Sequence, residues 1–317
     1  MTTMRARVLA AIAALLGLIF CAGCTPLAGG NDDGRPTIGL AVANQQADFF
    51  NMIRQAVETS AEDQGFRLIV ADAKGDADTQ VSQIQNFITQ EVDAIIYIPA
   101  GATAATVPVR DAHAAGIPIV AVDRNPQGAP ADSFIATDSI AAAKDLGDYV
   151  IDITRGQGKV GVVQGQIGTT PEQARDEGFT EALDSAPGME QVAKQASQQW
   201  SQSEGFDITT DMLQAHPEIN VMFGRADALA LGAAAAARAA GRTDMTVVGF
   251  DGDIAGLEAV RDGRLAATVT QPTYGMGALA VQSAKALIAG QPVPAEQLQQ
   301  GLLTTRDNAA EFLQQHP

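Results

Sequence analysis

The chain has 317 residues, with 37 acidic and 20 basic side chains and a formal net charge of −17. That length exceeds one small core and predicts two domains of ordinary size, while the negative balance argues against a nucleic-acid backbone as partner. The two cysteines, Cys21 and Cys24, lie near the N-terminus and the three histidines, His113, His216 and His316, are scattered, so neither a disulfide framework nor a metal site is expected.

At the N-terminus, Arg5 and Arg7 precede an apolar run over residues 8–20 that ends in small residues. This is the pattern of a secretory signal, placed at residues 1–23; the run falls just short of what a spanning helix usually needs. Ala22-Gly23-Cys24 resembles the lipobox of bacterial lipoproteins, with Cys24 as the acylated residue, although Cys21 stands where that motif usually carries Leu. An ordinary cleaved signal and an uncleaved anchor are the alternatives. Residues 24–36 contain Gly, Asn and Asp in place of core-forming residues and are expected to be a tether.

From residue 37 the pattern alternates. Strands are expected at 37–43, 66–71, 94–98 and 117–122, with amphipathic helices at 49–64, 77–90 and 102–115 between them. Gly65 stops the first helix. A short strand at 134–136 leads into a helix at 140–154, after which the rhythm restarts. Strands at 159–164, 191–196, 220–223 and 245–250 alternate with helices at 171–185, 201–215 and 226–240, the last stopped by Gly241. A strand at 265–270, a helix at 274–289 ending at Gly290, a strand at 302–304 and a last helix from Asp307 complete the chain. Repeated β-α units make parallel sheets with right-handed crossovers. The late elements need a sheet to join, and the simplest solution lets them cross back between two domains. Several crossings make a hinge.

The run Ile117-Pro118-Ile119-Val120-Ala121-Val122 ends at Asp123-Arg124. A short, wholly apolar, β-branched run reads as a strand buried on both faces, and ligands bind at the carboxyl ends of such strands. The strand at 245–250 ends in the same way at Asp251. Trp200, the single tryptophan, stands among Ser and Gln and is not expected in a core. Asn44 ends the first strand and is a further candidate for the cleft. Asp227 is expected to cap its helix.

In this order and spacing the motifs resemble the periplasmic ribose-binding-protein class of sugar-binding proteins, which serve ABC importers. The carrying residues are Asp48-Phe49-Phe50, Val122-Asp123-Arg124, Gly168-Thr169-Thr170 with Arg175 and Gly178-Phe179, Ala228-Leu229-Ala230-Leu231-Gly232, Val248-Gly249-Phe250-Asp251-Gly252 and Ala267-Thr268-Val269-Thr270-Gln271. The likeness spans about residues 37–308.

The resemblance implies an α/β fold of two doubly wound parallel-sheet lobes joined by a multi-strand hinge, of the type I periplasmic binding protein kind. The expected lobes are 37–138 plus about 271–298, and 139–270 plus about 299–317. Position by position, the resemblance puts the aromatic roles on Phe49, Phe50 and Trp200. It puts polar roles on Asp123 and Arg124 from the first lobe, on Arg175 and Asp251 from the second, and on Gln271 from a crossing segment. Ala47 and Ala226 stand where ribose binders carry Asn, which argues against ribose itself.

The residue chemistry agrees. Carboxylates accept from sugar hydroxyls, guanidinium groups donate in a fixed fork, and aromatic faces meet C–H faces. Two Asp against two Arg make a nearly neutral site. The expected function is therefore a monomeric, extracytoplasmic, lipid-anchored receptor. It would bring a neutral sugar or sugar alcohol to an ABC permease and its ATPase, with no cofactor, metal or nucleic acid. A sensor of the same fold is the alternative. Against an enzyme, no nucleophile–base pair, metal cluster or phosphate loop appears in the sequence, and a transcription regulator would need a DNA-binding helix pair where an export signal is expected.

Overall fold

The computed structural model describes residues 34–102 and 105–315. The signal, Cys24, most of the tether and His316 lie outside the described residues.

The first sheet is built from β1 (Thr37–Val42), β2 (Arg67–Asp72), β3 (Ala94–Tyr97), β4 (Ile119–Val122), β5 (Ser133–Thr137) and β11 (Glu296–Gln299). Its spatial order is β11-β5-β4-β3-β1-β2, parallel throughout. β1, β3 and β4 are buried at every position, as their unbroken apolar runs require. The crossover helices are α1 (Asp48–Asp63), α2 (Ala77–Thr89) and α3 (Thr106–Ala114).

The chain then crosses to the second lobe through α4 (Ser139–Ile153) and winds a second sheet. This sheet contains β6 (Gly158–Gln164), β7 (Met189–Ala196), β8 (Val221–Gly224), β9 (Thr246–Val248), β10 (Ala267–Thr270) and β12 (Leu302–Thr305). The order is β12-β10-β9-β8-β6-β7, and only β12 runs antiparallel to its neighbour. Between these strands lie α5 (Thr170–Asp184), α6 (Gln202–Ala215), α7 (Asp227–Ala239) and α8 (Ile254–Asp262). α9 (Thr273–Ile288) returns to the first lobe, and α10 (Ala309–Gln315) ends the described chain.

Three segments therefore pass between the sheets: β5 to α4, β10 to α9, and β11 to β12. The helix stops expected at Gly65, Gly241 and Gly290 all have left-handed backbone, with φ of 77°, 72° and 69°, where a residue with a Cβ would be strained. α9 docks closely on α1: a Cβ on Gly277 would lie 2.6 Å from that of Ala56.

Several elements differ from the sequence expectation. The third helix begins at Thr106, and the strand expected over 245–250 is only Thr246–Val248, with Asp251 making an isolated bridge to Thr270. α8 and β11 were not anticipated. α8 is a nine-residue helix behind an Asp-Gly-Asp turn. β11 reads Glu-Gln-Leu-Gln, with half-buried and exposed positions alternating, because it is an edge strand.

Candidate functional site

In each sheet the chain reverses its direction of travel beside the first strand, between β1 and β3 and between β6 and β8. The carboxyl ends of strands meet a crevice at such switch points. Here the two crevices face each other across a cavity of about 560 Å³. The lobes also touch beside it: the Asn125 amide donates to Thr170 Oγ1 at 3.0 Å, and Gln127 Nε2 donates to Gln173 Oε1 at 2.9 Å.

Asn44, Phe49, Phe50, Asp123, Arg124, Arg175, Trp200 and Asp251 all line this cavity. Gln271 does not. It sits behind Asp251, donating from Nε2 to Asp251 Oδ1 at 2.8 Å and accepting at Oε1 from Thr137 Oγ1 at 2.7 Å. Gln46, Lys74, Gln166, Gln198 and Asp253 also line the wall without having been singled out from sequence. They lie in polar loops, where local pattern does not separate a cavity wall from an outer surface.

Phe49 and Phe50 open α1 and are both buried. Their rings meet edge to face, 5.3 Å apart at 62°, so one pair serves the core of the first lobe and the cavity wall together. Asp123 follows β4 in a left-handed conformation, φ 65°. Trp200 and Asp251 also have positive φ, 56° and 133°. Such backbone costs on the order of 1–3 kcal/mol per residue and persists where the surroundings over-determine it. At Asp123 and Asp251 the backbone N–H is tied to the carbonyls of Ile135 and Val269, at 2.8 and 2.9 Å.

The guanidinium of Arg124 donates from Nη1 to the Pro99 carbonyl at 3.0 Å. It lies 5.1 Å from the Phe50 ring and 5.9 Å from Trp200, and its Nε is 3.6 Å from Asp123 Oδ2. Across the cavity, Arg175 stacks 4.0 Å over Phe250, reaches 5.7 Å from Trp200 and places Nη2 3.3 Å from Asp251 Oδ1. Each lobe thus presents an Asp beside an Arg, and Trp200 stands between the two cations. Arg124 Nε, Arg175 Nε and Trp200 Nε1 are buried donors with no acceptor among the described residues.

Burial dominates the electrostatics. It pushes Asp251 up to about 7 against the opposing pull of Arg175, with Asp253 and Asp123 adding to the rise. Asp123 is raised by the same cause, opposed by Arg124 and Arg175.

Asp227 corrects a sequence expectation. It is the first residue of α7 and does not cap it; the N-cap is Ala226, which has no side-chain bond to make. The fully buried Asp227 carboxylate instead accepts from the Gly252 and Asp253 amides at 2.8 and 3.1 Å and from Thr268 Oγ1 at 2.6 Å. It therefore shapes the turn that carries Asp251. A Cβ at Gly249 or Gly256 would lie 2.2 or 2.1 Å from its oxygens. Asp253 caps α8 through the Gly256 amide.

The sequence profile described as "Periplasmic binding protein domain" matches residues 38–292. The chain belongs to this family. Among the relatives of this periplasmic binding protein is the ribose import binding protein of Bacillus subtilis (strain 168), 31% identical over 257 residues, which are 81% of this chain and 83% of that one. A solute binding protein of an ABC transporter from Bacillus halodurans C-125, solved with bound myo-inositol, superposes with a TM-score of 0.83 at 30% identity, covering 90% of this chain and 99% of that one. Another from Actinobacillus succinogenes 130z, solved with bound D-allose, gives 0.82 at 26% identity, covering 87% and 100%. The chain is accordingly an extracytoplasmic binding protein and not an enzyme. Among the described residues no helix is long and apolar enough to cross a membrane, and no group of side chains is arranged to hold a metal ion.

Proposed function

We propose that this periplasmic binding protein captures a neutral monosaccharide or sugar alcohol between its lobes and delivers it to an ABC importer. The observation that carries the reading is the pairing of Asp123 and Arg124 on one lobe with Arg175 and Asp251 on the other, around one aromatic-walled cavity. Carboxylates and guanidinium groups in this arrangement accept from and donate to hydroxyls on both faces of a ring or chain. Phe49, Phe50 and Trp200 supply the apolar contact. Asn44 is a further polar contact, while Gln271 acts through Asp251. The ligands of the relatives, ribose, D-allose and myo-inositol, are of this chemical class.

The units that close on the ligand are 37–138 with about 271–298, and 139–270 with about 299–317. The protein acts as a monomer held to the outer face of the cell membrane by acylated Cys24. One acyl chain binds a membrane only marginally, so multiple chains are needed for a stable anchor. Mass spectrometry of the natural N-terminus should find a lipid on Cys24; an unmodified residue further along would remove the anchor.

The decisive experiment is a thermal-shift screen against pentoses, hexoses and sugar alcohols, with sugar acids, amino acids and polyamines as charged solutes. A ligand that binds the native state alone raises the unfolding temperature by mass action. At least one neutral polyhydroxyl compound should do so. A response confined to charged solutes overturns the reading.

A further inference from the structure

Behind the cavity wall, the second lobe buries an ion pair that the proposed contacts do not use. Arg225 follows β8 and is completely buried, and Glu172, in the first turn of α5, is 2% exposed. Arg225 Nη1 donates to the Glu172 carbonyl at 3.1 Å and to Glu172 Oε1, while Nη2 donates to Asp176 Oδ1. Neither Glu172 nor Arg225 lines the cavity. Removing two charges from water is costly, and apolar residues of similar size often hold a fold equally well. The position of this pair beside the cavity therefore calls for an explanation beyond stability.

Two connections provide one. Arg175 lies three residues beyond Glu172 on α5, and its Nη1 donates to the carbonyl of Arg225. The clasp thus runs both ways: the Arg225 side chain grips the helix, and the helix returns a bond to the Arg225 backbone. It sets the register of α5 against the end of β8, and with it the point where the Arg175 guanidinium reaches Asp251. The second connection runs through Glu172 Oε2, which accepts from the Gly165 amide at 2.7 Å, while Oε1 also accepts from Gln164 Nε2 at 2.8 Å. Gly165 is the floor beneath Trp200. A Cβ there would lie 1.8 Å from Trp200 Cη2, so the indole occupies the space a side chain would fill.

We propose that Arg225 and Glu172 are positioning residues, whose buried ion pair holds the Arg175 guanidinium and the Trp200 ring in binding geometry without touching ligand. This rests on the reading that Arg175 and Trp200 contact ligand. A hydrogen bond weakens steeply with distance and angle, so a small shift of α5 or of the Gly165 floor is felt at both contacts.

The test uses Glu172→Gln and the double variant Glu172→Gln/Arg225→Met. In the double variant the Gln amide oxygen still accepts from Gly165 while both charges are gone. Trp200 is the single tryptophan, so its emission and acrylamide quenching report ring placement without ligand. Calorimetry with D-ribose and myo-inositol reports binding. The double variant should unfold cooperatively, show quenching increased at least about twofold, and bind the better probe at least about tenfold more weakly. Adding Arg175→Ala should then cost less than about threefold, because Arg175 has already lost its placement. A lower unfolding temperature with unchanged quenching and affinity overturns the proposal, since the pair would then serve only stability. If the double variant does not fold, Glu172→Gln alone decides by the same two readouts. If wild type binds neither probe, the choice of ligand fails separately, and Trp200 quenching still tests the positioning.

Discussion

Gln271 donates from Nε2 to Asp251 Oδ1 at 2.8 Å, so the segment that crosses from β10 to α9 is bonded directly to a cavity carboxylate. The same side chain accepts from Thr137, at the end of β5, where the chain makes its first crossing. Gly301, in the third crossing, also abuts Thr137: a Cβ there would lie 2.9 Å from Thr137 Cγ2. One amide thereby joins the hinge to the site. Gln271→Ala removes a bond to a buried carboxylate, which costs about 1–3 kcal/mol. Calorimetry with the best ligand from the sugar screen should show affinity reduced about fivefold or more, although Gln271 does not line the cavity. Wild-type affinity would separate the hinge from the site.

Asp251→Ala removes a charged acceptor and leaves Arg175 without its carboxylate partner across 3.3 Å. Losing one member of a buried, hydrogen-bonded charge pair costs roughly 2–4 kcal/mol. Affinity should drop about thirtyfold or more, with the variant still folded by circular dichroism. Unchanged affinity would place the ligand elsewhere.

Asp251 also sets a pH dependence. Burial raises its folded value to about 7, whereas an unfolded Asp titrates near about 4. The native state therefore holds the proton more tightly than the unfolded chain. Its contribution to ligand-free stability is fully present below about pH 4 and is lost as pH rises towards about 7. Asp123, Asp227 and Asp253 are raised too and act in the same direction. The ligand-free unfolding temperature should fall between about pH 5 and 7.5, and Asp251→Asn should flatten part of that fall. An unaltered pH profile in the variant would exclude Asp251 as a source.

Ala47 and Ala226 are both helix N-caps with extended backbone, at φ −85° and −147°, and neither makes a capping bond. Both line the cavity. Asn is favoured at such positions and stabilises by typically about 1 kcal/mol over Ala. Ala47→Asn and Ala226→Asn should each raise the ligand-free unfolding temperature. In wild type, a sugar alcohol or a monosaccharide other than ribose should bind at least about tenfold more tightly than ribose, because a ribose hydroxyl facing Ala loses water without gaining a partner, at about 1–3 kcal/mol. The double Asn variant should narrow that gap. Ribose binding better than every other compound in side-by-side titrations would refute the specificity argument.

Ligand that touches both lobes favours their closure over the cavity. Small-angle scattering should show a smaller radius of gyration on saturation, accompanied by a change in Trp200 emission. Constancy of both signals would argue against closure.

The sequence by itself determined the alternation of strands and helices, because apolar runs and helical periodicity are local signals. It also placed Asp123 and Asp251 at strand ends, where the parallel order of the sheets turns two remote carboxylates towards one crevice. β11 escaped notice because Glu-Gln-Leu-Gln has no apolar run; it is a strand only through the backbone of β5. The tertiary structure alone decided that Gln271 stands behind Asp251, that Asp227 ties the 252–253 turn, and that Glu172 and Arg225 are buried against each other. Each of those outcomes depends on which strand ends become neighbours. A polar residue looks the same in sequence whether it faces solvent, a ligand or a buried partner, and long-range packing decides among the three.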